Sequence, residues 1–236
     1  MNYDNPAARL LSVLEKGKIL PPTANCRVVW DELLESKNDS SVLMARLGKL
    51  MELPHLVILA LREEFPEQGD TWSHWEAQVS AAFMVQNMHA NWDSFITHID
   101  DHSLRYLKMA SAMLQAKTNT KLIIEADLIA VRETLDAILV EVLATDMPSE
   151  VKRYLVRNLR KIVNSIDEYE LTGALPLLDA VEITLGHAAV DKQYKSFLTD
   201  TELGKRLLDT LGSMANVVTV AVGLPQLTQA IALLTN

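Results

Sequence analysis

Cysteine is almost missing from this chain: Cys26 is the only one in 236 residues. An internal disulfide is thereby excluded, which suits a reducing compartment and gives a cytoplasmic location as the expectation. Glycine and proline are scarce, at 8 residues each. The glycines stand singly, so there is no Gly-rich loop to cradle a phosphate. No Gly-x-Ser-x-Gly elbow is present to raise a nucleophile. Runs of alternating β-branched residues joined by Asn-Gly or Asp-Gly turns are also missing, which removes the signature of a hairpin sheet. The first residues have neither a basic segment nor an apolar core, so no signal peptide is expected there.

Apolar residues are plentiful, at 49% of the chain. That is enough for a sizeable core and argues against global disorder. With few helix breakers, the composition predicts helix almost throughout. The expected fold is all-α, a bundle of about nine or ten helices arranged in helical hairpins. The net charge is -9, which disfavours nucleic acid as a partner.

The clearest local pattern lies at 148–190. Pro148, Ser149 and Glu150 read as a helix start, with Ser149 as candidate cap. Val151, Leu155, Leu159, Ile162, Ile166 and Tyr169 then recur at steps of three and four, one face of a helix. Gly173 ends it, and a second apolar pattern follows with Pro176 in its first turn. Two such helices with a short connection form an antiparallel hairpin.

The first of these helices carries a second stripe. Lys152, Arg153, Arg157, Arg160 and Lys161 fall within ten residues, and Arg153, Arg157, Arg160 and Asn164 follow helical spacing away from the apolar face. Two fates are open to them. They can face water or pair with acidic helices, and the preceding helix at 122–144, bearing Glu125, Asp127, Glu133, Asp136 and Glu141, is the nearest such neighbour. Alternatively, they form a binding site for an anion or an acidic partner.

Elsewhere, Asn5-Pro6 reads as a cap and first helical residue, and Pro54 as the start of a fourth helix. The segment 66–70 has Pro and Gly and no apolar anchor, which places a boundary between an N-terminal helical subdomain at 1–66 and a main bundle at 71–236. A long helical region is expected at 71–100, where Trp72, Trp75, Trp92, Phe83 and Phe95 are expected to serve as core. No internal repeat is evident.

From 210 to 236 there is no charged side chain, a run of 27 residues. Its length raises the question of a membrane span, but Asn216, Gln226 and Gln229 are costly in hydrocarbon and Pro225 divides the run. Burial in the bundle or in a homodimer interface is the expectation, with membrane association disfavoured. Leu224, Leu227, Ile231 and Leu234 are the candidate contacts.

Signals for chemistry are thin. His98 and His102 stand four apart and could share one helix face around a metal ion, with His55, His74 or His89 as a third ligand. Glu follows the first His in the zinc-protease pattern, whereas here that position is Ile99. Histidines and acids at a helix end serve equally for solvation and capping. No catalytic residue and no cofactor is indicated. The functional expectation is a non-enzymatic helical interaction or regulatory protein that recognises a partner protein, with a homodimer in view. The alternatives are a membrane-targeting effector of the bacterial defence or toxin type, using the uncharged segment, and a metal-dependent bundle enzyme at His98 and His102.

Overall fold

A computed structural model describes residues 3–68, 72–118 and 120–223. Among them are twelve α-helices and no β-strand. The chain divides into two compact units, 1–118 and 119–236. The division falls at 118/119 and not at 66–70, because helices on both sides of 66–70 share one core.

In the first unit, α1 spans Pro6–Ile19. Asn5 caps it by accepting the Ala8 N–H at 2.9 Å, with Pro6 fixing the first turn. The same Asn5 donates its amide to the Ser111 carbonyl at 3.1 Å, which ties the start of α1 to α6 (Asp101–Lys117). Helix α2 is Cys26–Leu33 and α3 is Ser40–Glu64. Pro54 does not open a new helix but lies inside α3. The apolar face Leu43, Leu47, Leu50, Leu53, Val57, Ile58 and Leu61 is buried continuously through it, and that burial outweighs the one backbone hydrogen bond proline cannot donate. Helices α1 and α3 both pack on α6.

The expected long helix at 71–100 is broken. Helix α4 covers Ser73–Val85 and α5 only Asp93–Ile96. The intervening loop pairs with the approach to α2, where Cys26 donates to the Ala90 carbonyl and Trp92 to that of Ala24. The aromatics are core, as expected, and Trp30 joins them. Trp30 meets Trp92 and Phe95 edge-on, each at 4.8 Å between ring centres. The indole N–H of Trp92 donates to the Gly17 carbonyl at 2.9 Å, so its polar atom is satisfied at no cost to burial.

The second unit contains α7 (Glu125–Ala144), α8 (Ser149–Asp167), the short α9 (Tyr169–Thr172), α10 (Ala174–Gly186), α11 (Lys192–Asp200) and α12 (Glu202–Val222). Four of these close a ring: α7 packs on α8, α8 on α10, α10 on α12, and α12 on α7. Gly173, at φ 74°, provides the left-handed turn between α9 and α10. The carbonyl of Ala221 accepts the Lys121 N–H at 2.8 Å, while Arg206 pairs with Glu141. Those two contacts place the end of α12 beside the start of α7, and the reverse, so the two are antiparallel.

Of the uncharged stretch, the part up to Gly223 completes α12. Leu211, Met214, Ala215, Val218 and Ala221 are buried and Asn216 is exposed, which matches burial within the unit. Gly223 ends the helix in the left-handed conformation. Leu224, Leu227, Ile231 and Leu234 lie outside the described residues. Among the described residues, no helix is long and apolar enough to cross a membrane.

Two glycines offer a paired test of this packing. A Cβ on Gly204 would sit 2.0 Å from the carbonyl oxygen of Phe197, where α11 meets α12. A Cβ on Gly48, within α3, would meet nothing within 4 Å. Gly204→Ala is expected to lower stability by about 3 kcal/mol or more, and Gly48→Ala to raise it by about 0.5–1 kcal/mol. Urea unfolding of the two variants against the parent checks both signs.

Candidate functional site

Helix α8 is amphipathic in the strict sense. Val151, Leu155, Leu159, Ile162, Val163 and Ile166 are buried, and all belong to the core of the second unit. With that face fixed inward, the helical period puts Arg153, Arg157, Arg160 and Lys161 on the outside, and all four are exposed. Together with Ser149, Lys152, Val156 and Asn164 they line one surface depression. Pro148, not Ser149, occupies the cap position, and no side chain caps the helix.

Pairing with the acidic helix α7, the expected destination of the stripe, does not occur. Among the described residues none of the four cations forms an ion pair. Two acids of α7, Asp136 and Glu141, are met by other arginines. Arg132, on α7 itself, bridges Asp136 and Asp167, and Arg206 reaches across from α12 to Glu141. Hydrogen bonds that the guanidinium groups donate to these carboxylates hold both arginines more firmly protonated than usual. Only Lys152 turns toward α7, donating to the Leu143 carbonyl at 3.2 Å.

Beside the stripe is a column of rings that spacing alone does not reveal. Arg157 lies over the Tyr154 ring at 5.4 Å, and Tyr154 stacks on His187 at 3.7 Å with an interplanar angle of 16°. The Tyr154 hydroxyl donates to the Ile183 carbonyl at 2.9 Å. Tyr194 closes the column, donating to the Thr184 carbonyl at 3.0 Å. Burial raises the pKa of both phenols, so they are neutral donors. The positions 154, 187 and 194 come from three different elements, and no local pattern in the sequence links them. Through Tyr154 the column offers Arg157 a ring face, a favourable cation–π contact at 5.4 Å.

His98 and His102 do not share a helix. The chain leaves α5 at Ile96, and α6 begins at Asp101. His98 lies in the turn between them and His102 in the first turn of α6. The four-residue helical spacing that would aim both at one ion is therefore missing. Among the described residues no three His, Cys, Asp or Glu side chains gather as a metal site.

The acid in that stretch has a structural task. Asp100 caps α6, accepting the Ser103 N–H at 2.6 Å, and His74 lies 2.9 Å from its other oxygen. The Ser103 backbone bond, with the smaller contribution of His74, holds the Asp100 pKa down at about 2.

No family model matches the chain, and neither a curated protein nor a solved structure matches it.

Because the Asp100 carboxyl titrates lower folded than unfolded, its contribution to stability is complete above the unfolded value of about 3.9. It is lost as pH falls through about 2. Asp100→Asn keeps the cap but cannot titrate, so its stability should fall less than the parent's between pH 5 and pH 2. Asp100→Ala should cost about 1 kcal/mol at pH 7 through loss of the cap. Denaturant unfolding across that pH range measures both.

Proposed function

We propose that this chain is a non-enzymatic interaction protein that recognises a partner protein through the outer face of α8. The observation that carries the proposal is the exposed set Arg153, Arg157, Arg160 and Lys161, which makes no ion pair among the described residues, on a chain of net charge -9. Five of the eleven basic residues in 119–236 fall between 152 and 161. In an acidic chain with carboxylates to spare, four neighbouring cations left without an ion pair among the described residues repel one another at a cost that association with an acidic surface removes. Arginine suits that task because its planar fork binds a carboxylate through two hydrogen bonds.

Helix α8 presents the stripe on a rigid element, since its opposite face is held in the core. A rigid helical surface loses little conformational entropy on binding. The acidic balance of the whole chain opposes a nucleic acid partner.

Replacing Arg153, Arg157 and Arg160 together by Glu is expected to abolish association, read as loss of co-purified protein and of the associated species in sedimentation. The melting temperature and helical circular dichroism should stay close to the parent's, because exposed substitutions change stability by no more than about 0.5 kcal/mol each. Retained association after the triple change would contradict the proposal.

A further inference from the structure

Helix α10 runs beside α8 and carries the opposite charge on its outer face. Asp179 and Glu182 are exposed there, and among the described residues neither makes an ion pair. Two apolar side chains flank them, Leu175 at 58% exposure and Ile183 at 52%. The same surface thus bears a basic stripe and, next to it, an acidic stripe with apolar ends.

The register between the helices is set by two cross-helix hydrogen bonds. Tyr154 donates to the Ile183 carbonyl and Ser165 to that of Pro176, at 2.9 Å and 3.5 Å. The helices are therefore antiparallel, and the residues between these two bonds follow in step. Arg157 lies level with Glu182, and Arg160 with Asp179.

This layout matches itself. A two-fold axis parallel to the helices brings two such faces together with α8 of one copy over α10 of the other. Rotation about such an axis leaves every residue at its own height. Residues level within one copy then face each other between copies: Arg157 meets Glu182 of the second copy, and Arg160 meets its Asp179, each pair formed twice.

We infer that the α8–α10 face is a self-association surface whose occupant is the same face of a second copy of this chain, held by Arg157–Glu182 and Arg160–Asp179 pairs across a two-fold axis. The inference rests on the proposed role of α8 and names the partner. A purely acidic partner, an anionic membrane or a nucleic acid would meet the cations but be repelled by Asp179 and Glu182 alongside them. A second copy supplies both signs in register. Leu175 and Ile183 give each copy apolar area to bury at the two ends of the acidic stripe. A face made of two helices is at the small end of stable interfaces, so the dimer is expected to dissociate in the range of about 1–100 µM.

The test is a charge exchange on the full chain, followed by sedimentation over a concentration series. Arg157→Glu and Glu182→Arg, each alone, put like charges opposite one another twice per dimer. Each should weaken dimerisation at least about tenfold, a change of about 1.4 kcal/mol. The double variant Arg157→Glu with Glu182→Arg restores opposite charges and should return the dissociation constant to within about threefold of the parent's. Circular dichroism of each variant guards against misfolding. A parent that stays monomeric throughout, dimerisation indifferent to either single change, or a double variant without rescue would each overturn the inference. Should the parent be monomeric while Arg153, Arg157 and Arg160 are still needed to capture another protein, the role of α8 stands and only the identity of its partner falls.

Discussion

The inward burial of one face of α8 is the constraint on which the second unit depends. Val151, Leu155, Leu159, Ile162 and Ile166 are each at most 7% exposed. Burying a side chain of this size stabilises a fold by about 1.5–3 kcal/mol, more than an exposed charge pair can return. The apolar stripe therefore decides how α8 is rotated, and the basic stripe has no say in it. At 3.6 residues per turn, a helix so fixed must present Arg153, Arg157, Arg160 and Lys161 outward.

The ring of α7, α8, α10 and α12 then decides which charges meet. Arg132 and Arg206 lie where they can reach the acids of α7 and of the end of α8, and they occupy Asp136, Asp167 and Glu141. Among the described residues the cations of α8 form no ion pair. Adjacent to them, α10 leaves Asp179 and Glu182 in the same condition. Charges that are satisfied inside one copy have no call on a partner. These two groups, left over on neighbouring antiparallel helices, give the face its directional character.

Much of the fold could be read from local signals. The Asn5-Pro6 cap, the apolar set of α8, the turn at Gly173 and the core placement of the tryptophans all rest on interactions within a few residues or on plain hydrophobicity. What escaped depends on distant partners. Pro54 signals a helix start by its chemistry, yet the buried apolar face on both sides of it carries α3 straight through. The periodicity of 71–100 continues across a break because loop residues 86–92 bond to the approach to α2, more than 60 positions earlier in the chain. The boundary at 118/119 is marked by no proline or glycine, only by which helices share a core.

The candidate site divides in the same way. The basic stripe was legible because its spacing is local. Its lack of ion pairs was not, since acid and base in adjacent helices look complementary, whereas the α7 acids Asp136 and Glu141 pair with Arg132 and Arg206. The stack of Tyr154 on His187, 33 positions apart, leaves no trace in periodicity. His98 and His102 looked paired only under the assumption of an unbroken helix, and Asp100 marks where a new one begins.

The central claim is that the outer face of α8 is a contact surface left open within one copy. Arginine-specific chemical footprinting with residue-level mass spectrometry tests it most directly. In dilute protein, Arg153, Arg157 and Arg160 should react faster than the ion-paired Arg132, and they should lose that advantage as the complex forms. Equal reactivity of all four in dilute protein, or undiminished reactivity of the three in the complex, would contradict it.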